Sequence, residues 1–208
     1  MQSTVYKLSE LFIAFILVPV SFAIDYPIWI KMVVGGFGFF YILFVLLRVQ
    51  KNKFKIAKHL DWKSFYKRTL IQLVIIAILT TLYVWYDDAS NLYVVVLNKP
   101  LKWVAILFFY SVFSVYPQEL IYRTFFFQRY QSLFKNDTLF VLFNATLFSL
   151  AHLFFGNGLV MILTFVGGLF FALTFKKTKS TLLVTIEHAI YGSWLFTVGM
   201  GEMLGFPN

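Results

Sequence analysis

GLVMILTFVGGLFFALTF, residues 158–175, runs for 18 residues without a charged side chain. A helix needs about 20 predominantly apolar residues to cross the hydrocarbon core of a bilayer. The stretch is continuously apolar and lacks the alternation of apolar and polar residues that is typical of a membrane β-strand. Because a helix satisfies its backbone hydrogen bonds internally, the stretch predicts a helical membrane span.

The rest of the chain has the same character. Of its 208 residues, 60% are hydrophobic and 13% are charged, whereas about 25% of the residues of a soluble domain are charged. We therefore predict an all-α, multi-pass transmembrane helical bundle that forms a single integral-membrane domain over residues 1–208. The seven predicted spans are 8–24, 27–47, 69–86, 101–118 (continuing to about 130), 138–155, 158–175 and 180–200.

Charge is distributed unevenly between the loops. The net charge is +9, and eight of the 18 Lys and Arg residues fall within residues 48–68. Basic loops stay on the cytoplasmic side of a membrane, next to anionic lipid. This distribution predicts that the N-terminus is cytoplasmic and the C-terminus lies outside. It also indicates membrane lipid, and not nucleic acid, as the partner of the basic residues.

A few polar side chains lie inside the predicted spans. A charged group at the centre of a bilayer costs about 2.5–3.5 kcal/mol on insertion scales, so such groups persist where they pair or function. The residues concerned are Gln118, Glu119 and Arg123 in the fourth span, Asn144 and His152 in the fifth, and Glu187 and His188 in the seventh.

Glu119 and Arg123 are four residues apart, so on a helix they are neighbours on one face and can neutralise each other. If the span ended near Pro117, both charges would be interfacial. The residues 120–127 are apolar apart from Arg123 and Thr124, which favours a helix that continues to about residue 130. In such a helix Glu119 lies roughly 16 Å from the inner end.

The two histidines in the spans fall at depths comparable to that of Glu119. His152 and His188 lie roughly 20 and 12 Å from the inner ends of their helices. A single histidine in an apolar helix is more often a hydrogen-bonded packing residue than a catalyst, and it is the shared depth on three helices that favours a site. A carboxylate and two imidazoles in a dry interior can deprotonate a water, directly or through a bound metal.

The order and spacing of these residues resemble those of the CAAX protease and bacteriocin-processing membrane proteases, which include the Ras-converting CAAX endoprotease. The family motifs are Glu-Glu-x-x-x-Arg, Phe-x-x-x-His and His-x-x-x-Asn on separate helices. Here residues 118–123 read QELIYR, residues 148–152 read FSLAH and residues 188–192 read HAIYG. The resemblance covers about residues 100–200, the family-like catalytic core. It implies an intramembrane endopeptidase of the bacterial cytoplasmic membrane that cleaves a peptide or protein, lipidated or not.

The resemblance implies a catalytic role for three residues. Glu119 and His152 would activate the water that attacks a peptide carbonyl, and His188 would donate a hydrogen bond to the oxyanion. We interpret Glu187 as a structural partner, because its neighbour His188 already occupies the motif position. The supporting residues are Gln118, Arg123 and Asn144.

Two positions depart from the family pattern. Gln118 stands where the family has the Glu that activates water, and an amide cannot act as a base. Gly192 stands where the family has the Asn that helps to steady the oxyanion. In one account the chain is an active protease in which Glu119 supplies the base and Gln118 donates a hydrogen bond to the oxyanion. In this account Gly192 leaves room for substrate, or Asn144 supplies the missing amide. In the other it is an inactive relative that serves as a membrane binding, immunity or scaffold protein.

Two further alternatives concern a metal and transport. Glu119, His152 and His188 have the residue types of a two-His, one-carboxylate zinc site. The resemblance implies instead a water activated without an obligatory metal, so we predict no cofactor and keep zinc as the alternative. The chain contains no cysteine, which excludes a thiolate site. Buried Glu and His would also suit a transporter, but the sequence lacks the internal repeat that is typical of one.

Overall fold

The computed structural model describes residues 3–53 and 60–205, and the regular structure in these ranges is helical. The prediction of an all-α, multi-pass helical bundle is confirmed. The helices are α1 (Thr4–Ser21), α2 (Ile28–Val49), α3 (Trp62–Asn91), the short α4 (Val94–Asn98), α5 (Pro100–Leu133), α6 (Asp137–Phe155), α7 (Gly158–Thr178) and α8 (Thr181–Val198). Within the described ranges, all but α4 and α8 are long and apolar enough to cross a membrane. The chain is therefore a multi-pass integral membrane protein.

The observed helices follow the predicted spans closely, and the main difference is at the start of α3. Helix α8 has 18 residues and coincides with the seventh predicted span, although Glu187 and His188 interrupt its apolar sequence. Helix α3 begins at Trp62, after the Asp61 side chain that accepts a hydrogen bond from the Ser64 N–H, and it is longer than the predicted span. Residues 54–59 of the predicted basic loop lie outside the described residues.

Helix α5 continues past residue 118, as the apolar residues after Glu119 predict. It runs without interruption from Pro100 to Leu133, which confirms the predicted extension to about residue 130. Arg129, near the end of this helix, is buried in spite of its charge. The reason is that a carboxylate within the protein neutralises it.

Helices α1 and α5 are both widened just before a proline. In α5 the residues Tyr110–Val115 form a π-helical segment ahead of Pro117. Proline has no N–H, and its ring collides with the carbonyl four residues earlier, here that of Phe113. A wider turn relieves this collision. Helix α1 repeats the arrangement, with the π-helical segment Ile13–Leu17 ahead of Pro19.

The described chain divides into two compact units. Unit 1 comprises Met1–Lys55 and Leu120–Lys177, and unit 2 comprises Ile56–Glu119 and Thr178–Asn208. The boundary falls inside α5, immediately after Glu119.

The core of unit 1 is aromatic. The fully buried ring of Phe15 contacts the rings of Tyr122, Phe125, Phe126 and Tyr130, with centroids 5.1–6.2 Å apart. Each such pair contributes about 0.5–1.5 kcal/mol beyond the area it buries. These contacts join α1 to the C-terminal half of α5.

A buried ion pair lies in the same unit. Arg129 donates from Nε to Glu10 Oε1 at 3.0 Å and from Nη2 to Glu10 Oε2 at 2.5 Å. The Tyr130 hydroxyl donates to Glu10 Oε1 at 2.8 Å. Two parallel N–H···O bonds of this kind form the strongest and most specific pairing between a guanidinium and a carboxylate.

In unit 2, α8 packs against α3 and the N-terminal half of α5. Two indole N–H groups bridge these helices. Trp194 donates to Thr80 on α3 at 2.9 Å, and Trp103 on α5 donates to Thr197 at 3.0 Å. Gly199 ends α8 with a φ of +111°, and a Cβ there would lie 2.2 Å from the Asn91 carbonyl oxygen, so this position requires glycine. These hydrogen bonds and the close contact at Gly199 hold the C-terminal half of α8 against α3 and α5.

Candidate active site

Glu119 and His188 lie in contact within unit 2. The Nδ1 of His188 on α8 is 2.7 Å from Oε1 of Glu119 on α5. Glu119 is fully buried, and His188 retains 6% of its exposure. Because the carboxylate oxygen accepts, His188 Nδ1 carries the proton of this bond. The structure thus brings together two of the three side chains that the sequence predicts to be catalytic.

The backbone around Glu119 is irregular on both sides. A short α-helical turn, Tyr116–Glu119, separates the π-helical segments Tyr110–Val115 and Leu120–Phe125. Such segments are rare and occur frequently at functional sites, where they change the face on which the following side chains lie. The helical turn that carries Gln118 and Glu119 is therefore positioned by the distortions that flank it.

Gln118 is half-buried, and its side-chain amide is held by its own helix. Its Nε2 donates to Ser114 Oγ at 2.8 Å. Its Oε1 is buried and has no hydrogen-bond partner among the described residues. Gln118 can therefore accept a hydrogen bond through its amide oxygen. Unlike the neighbouring carboxylate of Glu119, however, an amide cannot act as a base.

Tyr110 is a neighbour of His188 that the sequence does not single out. Its ring meets the His188 ring edge-on, with centroids 6.1 Å apart and an interplanar angle of 81°. In the sequence it is one aromatic residue in an apolar run. The signal that could have identified it is Gly192, since the space of a missing side chain must be filled by another residue.

Glu187, the neighbour of His188, has separate partners. It accepts a hydrogen bond from the Tyr191 hydroxyl at 3.2 Å and lies 3.8 Å from Arg68 Nη2. The Tyr191 hydroxyl is also 2.9 Å from Gln72 Oε1. These contacts join α8 to α3, which supports the interpretation of Glu187 as a structural partner.

The first and second motifs also contribute a polar cluster to unit 1. Arg123 donates from Nη1 to Asn144 Oδ1 at 2.9 Å and from Nη2 to the Gly168 carbonyl at 3.4 Å. Its guanidinium also lies 4.7 Å from the centre of the Phe148 ring. Asn144 in turn donates from Nδ2 to the Tyr122 carbonyl at 2.8 Å. The Asn144 amide therefore positions Arg123 and joins α5 to α6.

His152 lies in unit 1, where α6 changes from a regular helix to a 3₁₀ turn. Its Nδ1 is 2.7 Å from the Phe148 carbonyl oxygen. A carbonyl oxygen only accepts, so Nδ1 carries the hydrogen and Nε2 is the accepting nitrogen of the neutral ring. Its φ of −101° and ψ of 5° fall in the sparsely populated region where many active-site residues are found.

The described residues contain no ready-made set of metal ligands. No group of three or more His, Cys, Asp or Glu side chains in residues 3–53 and 60–205 is arranged to hold a metal ion. A catalytic zinc takes three protein ligands. The zinc alternative stays a prediction.

Comparison with known proteins bears on the segment that carries these motifs. Residues 100–194 match the family model described as Type II CAAX prenyl endopeptidase Rce1-like. This segment is therefore similar to the CAAX protease family. The predicted resemblance is confirmed, and the match includes Glu119, His152 and His188. The CAAX protease family consists of membrane proteases. No curated protein and no solved structure matches the chain.

Proposed function

We propose that this chain is a member of the CAAX protease family and an active intramembrane endopeptidase. It hydrolyses a peptide bond of a peptide or protein substrate at the bacterial cytoplasmic membrane. The observation that carries the proposal is the 2.7 Å hydrogen bond between the buried side chains of Glu119 and His188. A carboxylate and an imidazole can both exchange protons, as general acid–base catalysis requires.

Glu119 has two tasks in this proposal. Its Oε1 accepts the Nδ1–H of His188, which orients the ring and stabilises its imidazolium form. The Nε2–H of that imidazolium then donates to the oxyanion of the attacked carbonyl. A carboxylate has about four acceptor positions, so Oε2 of Glu119 can accept the proton of the attacking water.

We infer from its family motif alone that His152 holds that water. Its Nδ1–H is donated to the Phe148 carbonyl, which leaves Nε2 to accept the second O–H of the water. The water oxygen forms a bond to the carbonyl carbon, its proton passes to Glu119, and the carbonyl electron pair moves to the oxygen. When the intermediate collapses, the C–N bond breaks and the leaving amine takes the proton from Glu119. The products are one carboxylic acid and one amine.

A second candidate function is favoured by Gln118 and Gly192. Gln118 stands where the family uses a base, and its amide nitrogen is engaged by Ser114. If Glu119 does not supply the base, the chain is a binding, immunity or scaffold protein that keeps the fold of a protease.

Comparative membrane proteomics distinguishes the two functions. N-termini and C-termini of membrane proteins are compared between cells that carry the wild type and cells that carry His152→Ala. We expect uncut precursors, with or without an attached lipid, to accumulate only with His152→Ala. The matched control is Thr146→Ala, which changes an exposed residue of the same helix. Identical termini in wild-type and His152→Ala cells, with equal amounts of both proteins in the membrane, would contradict the protease.

A further inference from the structure

The space that a side chain at position 192 would need is already occupied by Tyr110. A Cβ at this position would lie 1.9 Å from the Tyr110 hydroxyl oxygen and 2.4 Å from its Cζ. Real Cβ atoms essentially never show contacts below 3.0 Å. The hydroxyl of Tyr110 therefore occupies the position of the first side-chain atom of any other residue at 192. The space is filled by a hydrogen-bonding group, so Gly192 does not leave it for substrate.

The Tyr110 hydroxyl and the His188 ring lie beside the same face of α8. Residue 192 follows His188 by four positions, one turn along that face. The Tyr110 ring is held edge-on against His188 and, with centroids 4.8 Å apart, against Phe196. Ring packing therefore fixes where the hydroxyl lies, as preorganised electrostatic stabilisation requires.

The Tyr110 hydroxyl is also available as a donor. No residue in the described part of the chain accepts a hydrogen bond from it. A phenol keeps its proton at neutral pH and donates one hydrogen bond. The hydroxyl is thus a positioned O–H group beside the histidine that the mechanism uses, and it has no acceptor among the described residues.

We propose that Tyr110 is a catalytic residue whose O–H donates the second hydrogen bond to the oxyanion, together with His188. The hydroxyl takes the place of the side chain that position 192 lacks. The O–H bond of Tyr110 stays intact throughout, and only its hydrogen bond to the negatively charged oxygen strengthens as the intermediate forms. This inference rests on the proposed endopeptidase activity.

The test measures kcat and KM of purified protein with a substrate identified by the proteomic comparison. Tyr110→Phe keeps the ring contacts and removes only the donor, so we expect kcat to fall about 10²–10³-fold, as for the loss of one oxyanion donor, and KM to stay unchanged. Tyr116→Phe, which removes an exposed tyrosine hydroxyl from the same helix, is the matched control and should cleave at the wild-type rate.

A compensating pair of substitutions checks the position of the donor. Gly192→Asn alone should reduce the amount of folded protein, because its Cβ would collide with Tyr110. Tyr110→Ala combined with Gly192→Asn removes the collision and places an amide donor in the vacated space. We expect this double variant to fold and to cleave at least about tenfold faster than Tyr110→Ala, since one restored oxyanion donor is worth more than that.

The outcomes separate this inference from the proposed function. If the wild type cleaves and Tyr110→Phe cleaves within about twofold of it, Tyr110 is not a donor and the endopeptidase proposal stands. A fall in kcat that is matched by a loss of thermal stability in Tyr110→Phe would mark a structural role and overturn the inference. If the wild type cleaves nothing, the proposed function fails and this inference fails with it.

Discussion

Two of the buried carboxylates, Glu10 in unit 1 and Glu119 in unit 2, have different kinds of partner. In unit 1, Glu10 accepts two hydrogen bonds from the guanidinium of Arg129 and one from the Tyr130 hydroxyl. In unit 2, Glu119 accepts a hydrogen bond from the imidazole of His188. Burial is similar in the two places, so the difference lies in the chemistry of the donors.

That difference separates a structural carboxylate from one that can take part in a reaction. A guanidinium does not lose its proton in a protein, so the pair of Glu10 and Arg129 has one protonation state and only holds α1 against α5. An imidazole gains and loses a proton near neutral pH. The pair of Glu119 and His188 can therefore pass through the protonation states that hydrolysis requires.

The largest effect on stability is expected at the structural pair. Arg129→Met leaves the buried carboxylate of Glu10 without its cation, and breaking a buried ion pair in this way costs about 3–5 kcal/mol. We expect the variant to unfold at a markedly lower temperature in detergent solution. The matched control is Glu10→Gln combined with Arg129→Met, which has no unpaired charge and should recover most of the loss. Equal stability of Arg129→Met and the wild type would show that the pair does not hold α1.

A smaller effect on stability is expected at Gly168, whose carbonyl accepts a hydrogen bond from the second buried guanidinium, Arg123. A Cβ on Gly168 would lie 3.2 Å from Ala145 Cα and 3.2 Å from Phe148 Cδ1. Because one of these contacts is with backbone, Gly168→Ala should destabilise the protein by about 1–3 kcal/mol, the usual cost of overpacking.

Gly167→Ala is the matched control for that change. A Cβ on Gly167 would meet only the end of the Phe171 ring, at 3.3 Å, and a ring can move aside. We expect the thermal stability of Gly167→Ala to equal or exceed that of the wild type, because alanine favours a helix over glycine. If both alanine variants lost equal stability, the close approach of residue 168 to Ala145 and Phe148 would not be what requires glycine there.

Sequence alone was sufficient for the spans and for much of the candidate site. The thickness of the bilayer fixes the length of an apolar helix, so the spans could be predicted, and so could the extension of α5 past Glu119. Helix α8 was also predicted, although Glu187 and His188 lower the hydrophobicity of its sequence. The pairing of Glu119 with His188 could be predicted for two reasons. Burying either side chain at that depth in a bilayer costs free energy unless it has a partner, and both residues lie in motifs of one family.

Contacts that depend on which helices face one another could not be predicted. Glu10 and Arg129 are 119 residues apart, and Arg129 has the sequence features of a cytoplasmic loop residue. The only signal was the cost of an isolated carboxylate inside the first span. Tyr110 was missed for the same reason: Gly192 signals that some other residue fills the space, but the sequence does not say which one.

The most direct test of the account compares the two carboxylates in one cleavage assay. Glu119→Gln and Glu10→Gln both replace a buried carboxylate by an amide, and the rate of substrate cleavage is measured per folded molecule at a temperature where each variant stays folded. We predict that Glu119→Gln lowers this rate by about 10²–10⁴-fold, as expected for the loss of a general base. We predict that Glu10→Gln lowers thermal stability and leaves the rate per folded molecule unchanged. Equal rates for the two variants would contradict the assignment of Glu119 as the carboxylate that carries the chemistry.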